Sequence, residues 1–283
     1  MTSLAGAGNQ SHINSRHSFR IGWPVQRFLY QCALAAAFLL AWEYLPRIDA
    51  LSSRFSFLDA FFISSPSRMF RSLVGLLSGN NDNQLTLWPY LWTTLSATIM
   101  GSTIGMILGA LFGLIFSNSR KLSEVVRPFL ILANSVPRVA IIPIFVVMLG
   151  PTIAASVVSV VAVVFFLGFF NAFEGGISVP NSLIENSKLL GASPFETMRS
   201  TRLPMVLTWT FAAVPNAISF GLIVAVTTEL LAGIPGMGGL LMTATANLQV
   251  DFTFAIIAAL SAVGLVLYWG AVFLQRRVIH WKR

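Results

Sequence analysis

Long apolar runs separated by short polar breaks make up most of this chain. Six runs stand out, at about 25–45, 91–117, 128–149, 152–173, 206–232 and 252–274. A helix that crosses a bilayer needs roughly 20 mainly apolar residues, and each of these runs is that long. The fourth is the cleanest, passing through Val157, Val160, Val163 and Phe166 without a charge. Gly150 and Pro151 alone separate the third run from the fourth and read as a tight turn. The pattern predicts an all-α polytopic membrane protein with about six transmembrane helices. Residues 1–22 are polar and read as a cytoplasmic tail, and 23–283 read as one transmembrane domain. The first apolar run lacks a small-residue cleavage site and ends in Glu43 and Pro46, so it reads as a retained helix rather than a signal peptide.

The longest stretch between spans on the outer side is 46–90. It holds an aromatic run (Phe55, Phe57, Phe61, Phe62) that predicts an interfacial or re-entrant piece. Ser65-Pro66-Ser67 follows, then an amphipathic run over 66–77 expected on the membrane surface, then a polar turn at Asn80-Asn81-Asp82-Asn83. Trp88, Tyr90 and Trp92 suit anchors at the membrane–water boundary. No period of 20–50 residues recurs, which excludes solenoid architectures.

Composition sharpens this picture. Only 10% of residues are charged and 55% are hydrophobic, against about 25% charged in soluble domains. The net charge of +8 is explained by topology. Arg16, Arg20, Arg27, Arg120, Lys121, Arg127, Lys188, Arg199, Arg202, Arg276, Arg277, Lys282 and Arg283 fall on one side, and Arg47, Arg54, Arg68 and Arg71 on the other. Positive residues collect on the cytoplasmic side, so both termini are expected there. No dense basic tract with interleaved aromatics occurs, and nucleic acid is not an expected partner. The single cysteine, Cys32, reads as a small packing residue within the first span. His12, His17 and His280 lie near the termini, and no metal-ligand spacing exists.

Four features carry candidate mechanism. Gly101, Gly105, Gly109 and Gly113 recur every fourth position and so share one helical face. Such a face lets another backbone approach closely, within the subunit or at a subunit contact. Between spans four and five lies Glu185-Asn186-Ser187-Lys188-Leu189-Leu190-Gly191-Ala192-Ser193-Pro194-Phe195-Glu196, followed by Leu203-Pro204. Gly191 is suited to end one helix, and Ser193, Pro194 and Glu196 to start another with a capping box. A structured helix pair there, about 180–205, implies a cytoplasmic partner. Arg138, between Pro137 and Pro143, and Glu229 are charges within spans. Such charges face protein or water, so pairing, backbone capping and a place along a solute pathway are all open. Gly233-Ile234-Pro235-Gly236-Met237-Gly238-Gly239 reads as a tight outer turn; a compact connection between spans, part of a gate and part of a docking surface for a binding protein are all open.

The Glu185, Gly191-Ala192 and Leu203-Pro204 pattern resembles the cytoplasmic loop of permease subunits of binding-protein-dependent bacterial ABC importers, nearest the nitrate/sulfonate/taurine branch. Trp42-Glu43, Ser65-Pro66-Ser67, Val136 to Pro143 and Glu229 to Gly239 extend the likeness over nearly the whole chain. Asn186-Ser187 departs from it, since that family usually has two alanines there. The resemblance implies a type I importer permease fold in a bacterial inner membrane and a loop that couples to a separate ATP-binding subunit dimer. It also implies an extracytoplasmic solute-binding protein, a second permease copy, and a small organic or inorganic anion as solute. The chain has no Gly-x-x-x-x-Gly-Lys-Ser/Thr phosphate loop, so ATP and Mg belong to the partner, and no cofactor or catalytic residue is expected here. The competing reading is an ion-coupled secondary transporter, which needs midplane coupling acids and often inverted repeats; only Glu229 is a candidate and no repeat is seen. An intramembrane enzyme would need a Ser/His or paired-Asp constellation within the spans, and none occurs.

Overall fold

The computed structural model describes residues 23–48, 62–80 and 85–278, and within them every regular element is helical. Helix α1 spans Trp23–Tyr44, α2 Pro66–Ser78, α3 Leu87–Ser117 and α4 Arg120–Ser135. Then come α5 (Ile142–Leu149), α6 (Ile153–Ile177), α7 (Asn181–Leu189), α8 (Pro194–Thr197), α9 (Leu203–Ala232), α10 (Met237–Ala246) and α11 (Val250–Val278). Five of these, α1, α3, α6, α9 and α11, are long and apolar enough to cross a membrane. The N-terminal tail, the aromatic run up to Phe61, residues 81–83 of the polar turn and the three histidines lie outside the described residues.

The core is a sandwich of α3, α6 and α9. Gly101 meets Val160, Gly105 meets Val164, Gly109 meets Phe169 and Gly113 meets Ala172, so α3 and α6 run parallel. The contact is backbone against backbone. A Cβ added to Gly109 would lie 2.6 Å from the Phe169 nitrogen, and one on Gly113 would lie 2.6 Å from the Ala172 Cβ. Lipid tails give no hydrophobic drive between helices, so close van der Waals packing of this kind has to hold them. Helix α9 runs against both: Gly221 faces Ser102 and Val160, while Trp209 and Val206 face Gly175 and Gly176. Ala97, Met106, Val160, Val164, Ala217 and Val224 fill the space between the three. Several hydroxyls inside the spans bond back to their own helices, as Thr98 does to the Thr94 carbonyl at 2.7 Å and Thr228 to the Val224 carbonyl at 2.7 Å. The buried hydroxyls of Ser102, Ser156, Ser159 and Thr210 have no such partner.

Two parallel neighbours in one chain require a full return between them. The expected third span supplies it, but not as one helix. It is broken into α4, a 3₁₀ turn at Arg138–Ile141 and α5. Val136 and Pro137 are extended, with ψ of 127° and 97°. The residue before a proline disfavours helical backbone, and Pro137 lacks the N–H that would continue the ladder. The sixth crossing is therefore made of pieces.

Three further expectations are corrected. Helix α2 does not lie free on a surface: Leu76 is fully buried in a second core with Leu87, Leu91, Met237, Leu240 and Ile256. Its start is tied in by Glu43, which accepts from the Ser67 N–H at 3.0 Å, and by Arg68, 3.6 Å from Asp251. Cys32 is not buried within the chain but exposed on α1. The 233–239 run is not a turn alone, because from Met237 it becomes α10. Trp88 and Trp92 are exposed at the start of α3, where anchors belong.

Candidate functional site

The loop between α6 and α9 is built by local rules. Helix α7 stops at Gly191, which takes φ +83°. The Gly191 N–H donates to the Lys188 carbonyl and the Ala192 N–H to the Ser187 carbonyl, each at 3.0 Å. This pair of bonds closes the last turn as a Schellman motif, and the left-handed residue it needs is naturally glycine. Helix α8 starts on Ser193, whose Oγ accepts from the Glu196 N–H at 3.2 Å while Glu196 Oε2 accepts from the Ser193 N–H at 2.7 Å. That is the expected capping box. The Ser193 N–H holds the Glu196 carboxyl below its ordinary range. After α8 the chain passes through one π turn, Met198–Arg202, straight into α9, with Pro204 in the first turn.

Two contacts brace the loop. Ser187 Oγ and Thr201 Oγ1 are 3.5 Å apart across its two arms. Arg202 donates to the Ser117 carbonyl at 2.5 Å, capping the end of α3. A cavity of about 340 Å³ lies behind this strut, lined in part by Glu124, Arg127, Asn181 and Arg202.

What the loop shows outward is unusual for a polar segment. Leu189 is 84% exposed, Leu190 88% and Phe195 65%. Glu185, Asn186, Gly191, Ser193, Pro194 and Pro204 are also exposed, whereas Ser187, Ala192 and Leu203 are half-buried. The structure thus places the predicted loop residues in one helix–turn–helix segment, with most of them exposed, and Leu189, Leu190, Phe195 and Arg202 lie among them. A Leu-Leu pair directly before a helix-ending glycine was the available signal. In general, contiguous exposed apolar patches are found at interaction sites.

The other predicted residues sit elsewhere. The four glycines lie at the α3–α6 contact inside the chain. Arg138 opens the 3₁₀ turn in the broken crossing. Glu229, near the end of α9, is fully buried; its Oε2 accepts from Thr94 Oγ1 at 2.7 Å and from the Gly238 N–H at 3.0 Å. Thr94 and the α10 amide were not foreseen, because their approach to Glu229 depends on tertiary packing across 135 residues of chain. Among the described residues no group of three or more His, Cys, Asp or Glu side chains is placed to hold a metal.

Comparison with known proteins gives consistent results. The family described as "Binding-protein-dependent transport system inner membrane component" matches residues 72–280. A probable ABC transporter permease protein of Haemophilus influenzae is 31% identical over 58% of this chain and 66% of its own length. The riboflavin transport system permease protein RibX of Chloroflexus aurantiacus is 26% identical over 58% of this chain and 61% of its own length. The chain therefore spans just under two thirds of these two relatives. The taurine transport system permease protein TauC of Escherichia coli is 23% identical over 95% of this chain and 97% of its own length. Among solved structures, a chain of the MetNI methionine ABC transporter in inward-facing form matches with TM-score 0.53 and 20% identity, over 74% of this chain and 97% of that one. An amino acid ABC transporter crystallised with histidines matches with TM-score 0.56 and 17% identity, over 74% and 96%. At these identities the structural matches speak to the fold alone.

Proposed function

The chain belongs to the family of inner-membrane components of binding-protein-dependent transport systems, and from that premise we propose that it is the solute-conducting subunit of an ATP-driven importer. One observation carries the mechanism: a loop stiffened at Gly191 and Ser193 holds Leu189, Leu190 and Phe195 out of the protein. The natural occupant of that surface is a separate ATP-binding subunit, which brings ATP and Mg. The loop side is then cytoplasmic, as are both termini. An extracytoplasmic solute-binding protein delivers solute to the opposite face, and a second copy of the chain completes the pathway. The chain itself performs no chemistry. Its arms convert movement of the loop into movement of α9, because α8 runs into α9 without a flexible joint.

The solute is a small anion, of the class that includes sulfonates, nitrate and aromatic carboxylates. The names of TauC and of the aliphatic sulfonate permease SsuC of Bacillus subtilis, 23% identical over 58% of this chain, support that class. Arg138 is the residue we place along the pathway. Arg138→Ala should reduce anion uptake into vesicles while the subunits still assemble; unchanged uptake removes Arg138 from the pathway.

The central test is affinity capture of the solubilised chain from its native membrane. The unaltered chain should bring down an ATP-hydrolysing subunit, and Leu190→Asp should lose it while retaining the gel-filtration profile. A chain that purifies stably and alone in every condition would overturn the reading.

A further inference from the structure

Helix α10 starts without a cap of its own. Its N-cap residue is Gly236, which has no side chain, and the N–H groups of Met237 and Gly238 point away from any intrahelical acceptor. Both are satisfied from distant helices. The Met237 N–H donates to Thr94 Oγ1 of α3 at 2.9 Å, and the Gly238 N–H donates to Glu229 Oε2 of α9 at 3.0 Å. Thr94 donates to the same Glu229 oxygen at 2.7 Å, which closes the set. Thr94, Glu229 and Met237 are all fully buried. The fit leaves no slack: a Cβ on Gly236 would collide with the Glu229 carboxyl, and one on Gly238 would lie 2.8 Å from the Glu229 Cβ.

We propose that Thr94 and Glu229 are positioning residues that lock α10 onto α3 and α9, so that the 233–249 end of the bundle moves with the core as one body and is not an independent flap. The Glu229 carboxylate is then occupied by this lock and does not meet solute. The functional part rests on the importer reading: a gating displacement at this end must carry α3, α9 and α10 together. The free N–H groups at the amino end of a helix need acceptors, and here the protein supplies one itself in Glu229 Oε2.

The test is hydrogen exchange of the full-length, solubilised chain, followed in the peptide spanning 233–247. Thr94→Val should speed exchange there by about tenfold or more, with the 181–202 peptide unchanged. Thr94→Ser keeps the hydroxyl and should restore the unaltered rate. Thr93→Val, which changes a half-buried neighbour whose hydroxyl donates to the Pro89 carbonyl of its own helix, should have no effect. Glu229→Gln should also speed exchange, and combined with Thr94→Val it should add less than the product of the single effects, since both act through one contact. Unchanged exchange in Thr94→Val, or failure of Thr94→Ser to restore the rate, overturns the proposal. Capture of an ATP-hydrolysing subunit is scored on the same preparations. Its absence throughout, with exchange following the lock, would sink the importer reading and leave the lock standing.

Discussion

At its carboxyl end α9 takes a carboxylate out of water and surrounds it with donors from its own chain. At its amino end the same helix continues a loop that leaves Leu189, Leu190 and Phe195 in the open. Ordinary expectation is inverted at both places, with the charge inside and the large apolar groups outside. The charged end is closed off: Glu229 Oε2 has Thr94 and Gly238, Oε1 is buried without a hydrogen-bond partner, and the glycines around it leave no room for more. The apolar end is rigid yet unfinished, since Gly191 and Ser193 fix the shape of a surface whose side chains touch little of their own chain. One end is buried and the other exposed, so substitutions should separate stability from the partner docking proposed for the loop.

The largest expected effect is at the closed-off end. Gly238→Val pushes side-chain atoms into the backbone of α9, against the Val226 carbonyl and the Leu230 nitrogen, and displaces Glu229 from its donors. Overpacking and a stranded buried carboxylate together should cost on the order of 3–5 kcal/mol. The monodisperse gel-filtration peak should be lost, and survival of a normally melting protein would break the comparison. Thr94→Val strands the Met237 N–H and one bond to Glu229, for a loss of about 1–3 kcal/mol in thermal unfolding. Ser193→Ala removes half of the capping box at the other end and should cost about 1 kcal/mol. Because α8 is exposed, that loss should show as faster exchange over 193–197 and leave the global melting point nearly unmoved. Leu190→Ser should be the mildest, within about 0.5 kcal/mol of the unaltered chain. The same variant should nevertheless weaken ATPase capture at least tenfold, roughly 1.4 kcal/mol of binding. If Leu190→Ser destabilises the isolated chain as much as Thr94→Val does, the two ends are not different in kind.

How much of this was legible beforehand follows the range of the interactions. Long apolar helices are written in contiguous residues, and five spans stand close to where the hydropathy places them. The capping box and the Gly191 stop are local too, set by residues within a few positions of each other, and the structure contains both. The third crossing misled because the apolar stretches on either side of Asn134 to Arg138 are close enough to average into one span, while the backbone breaks between them at Val136 and Pro137. Helix α10 hid behind its glycines, which read as a turn until Thr94 and Glu229 are seen to replace the missing cap. Exposure of Leu189 and Leu190 is a tertiary fact, for nothing in a dileucine says whether a core or open space awaits it.

The parallel pairing of α3 and α6 has a consequence for how the protein is made. Helices inserted one after another enter the membrane in alternating directions, so neighbours in sequence can pair as hairpins at once. These two cannot. Gly101, Gly105, Gly109 and Gly113 find their partners only after the chain has turned back through α4 and α5 and started down again. The most extensive helix contact in the bundle therefore cannot form as a hairpin of successive helices: closure of the loop through α4 and α5 must precede any gain from it, and the contacts of α9 and α11 come later still. Until then a bare glycine stripe faces lipid, and the weak, broken crossing between the two helices is the part that must be threaded correctly first.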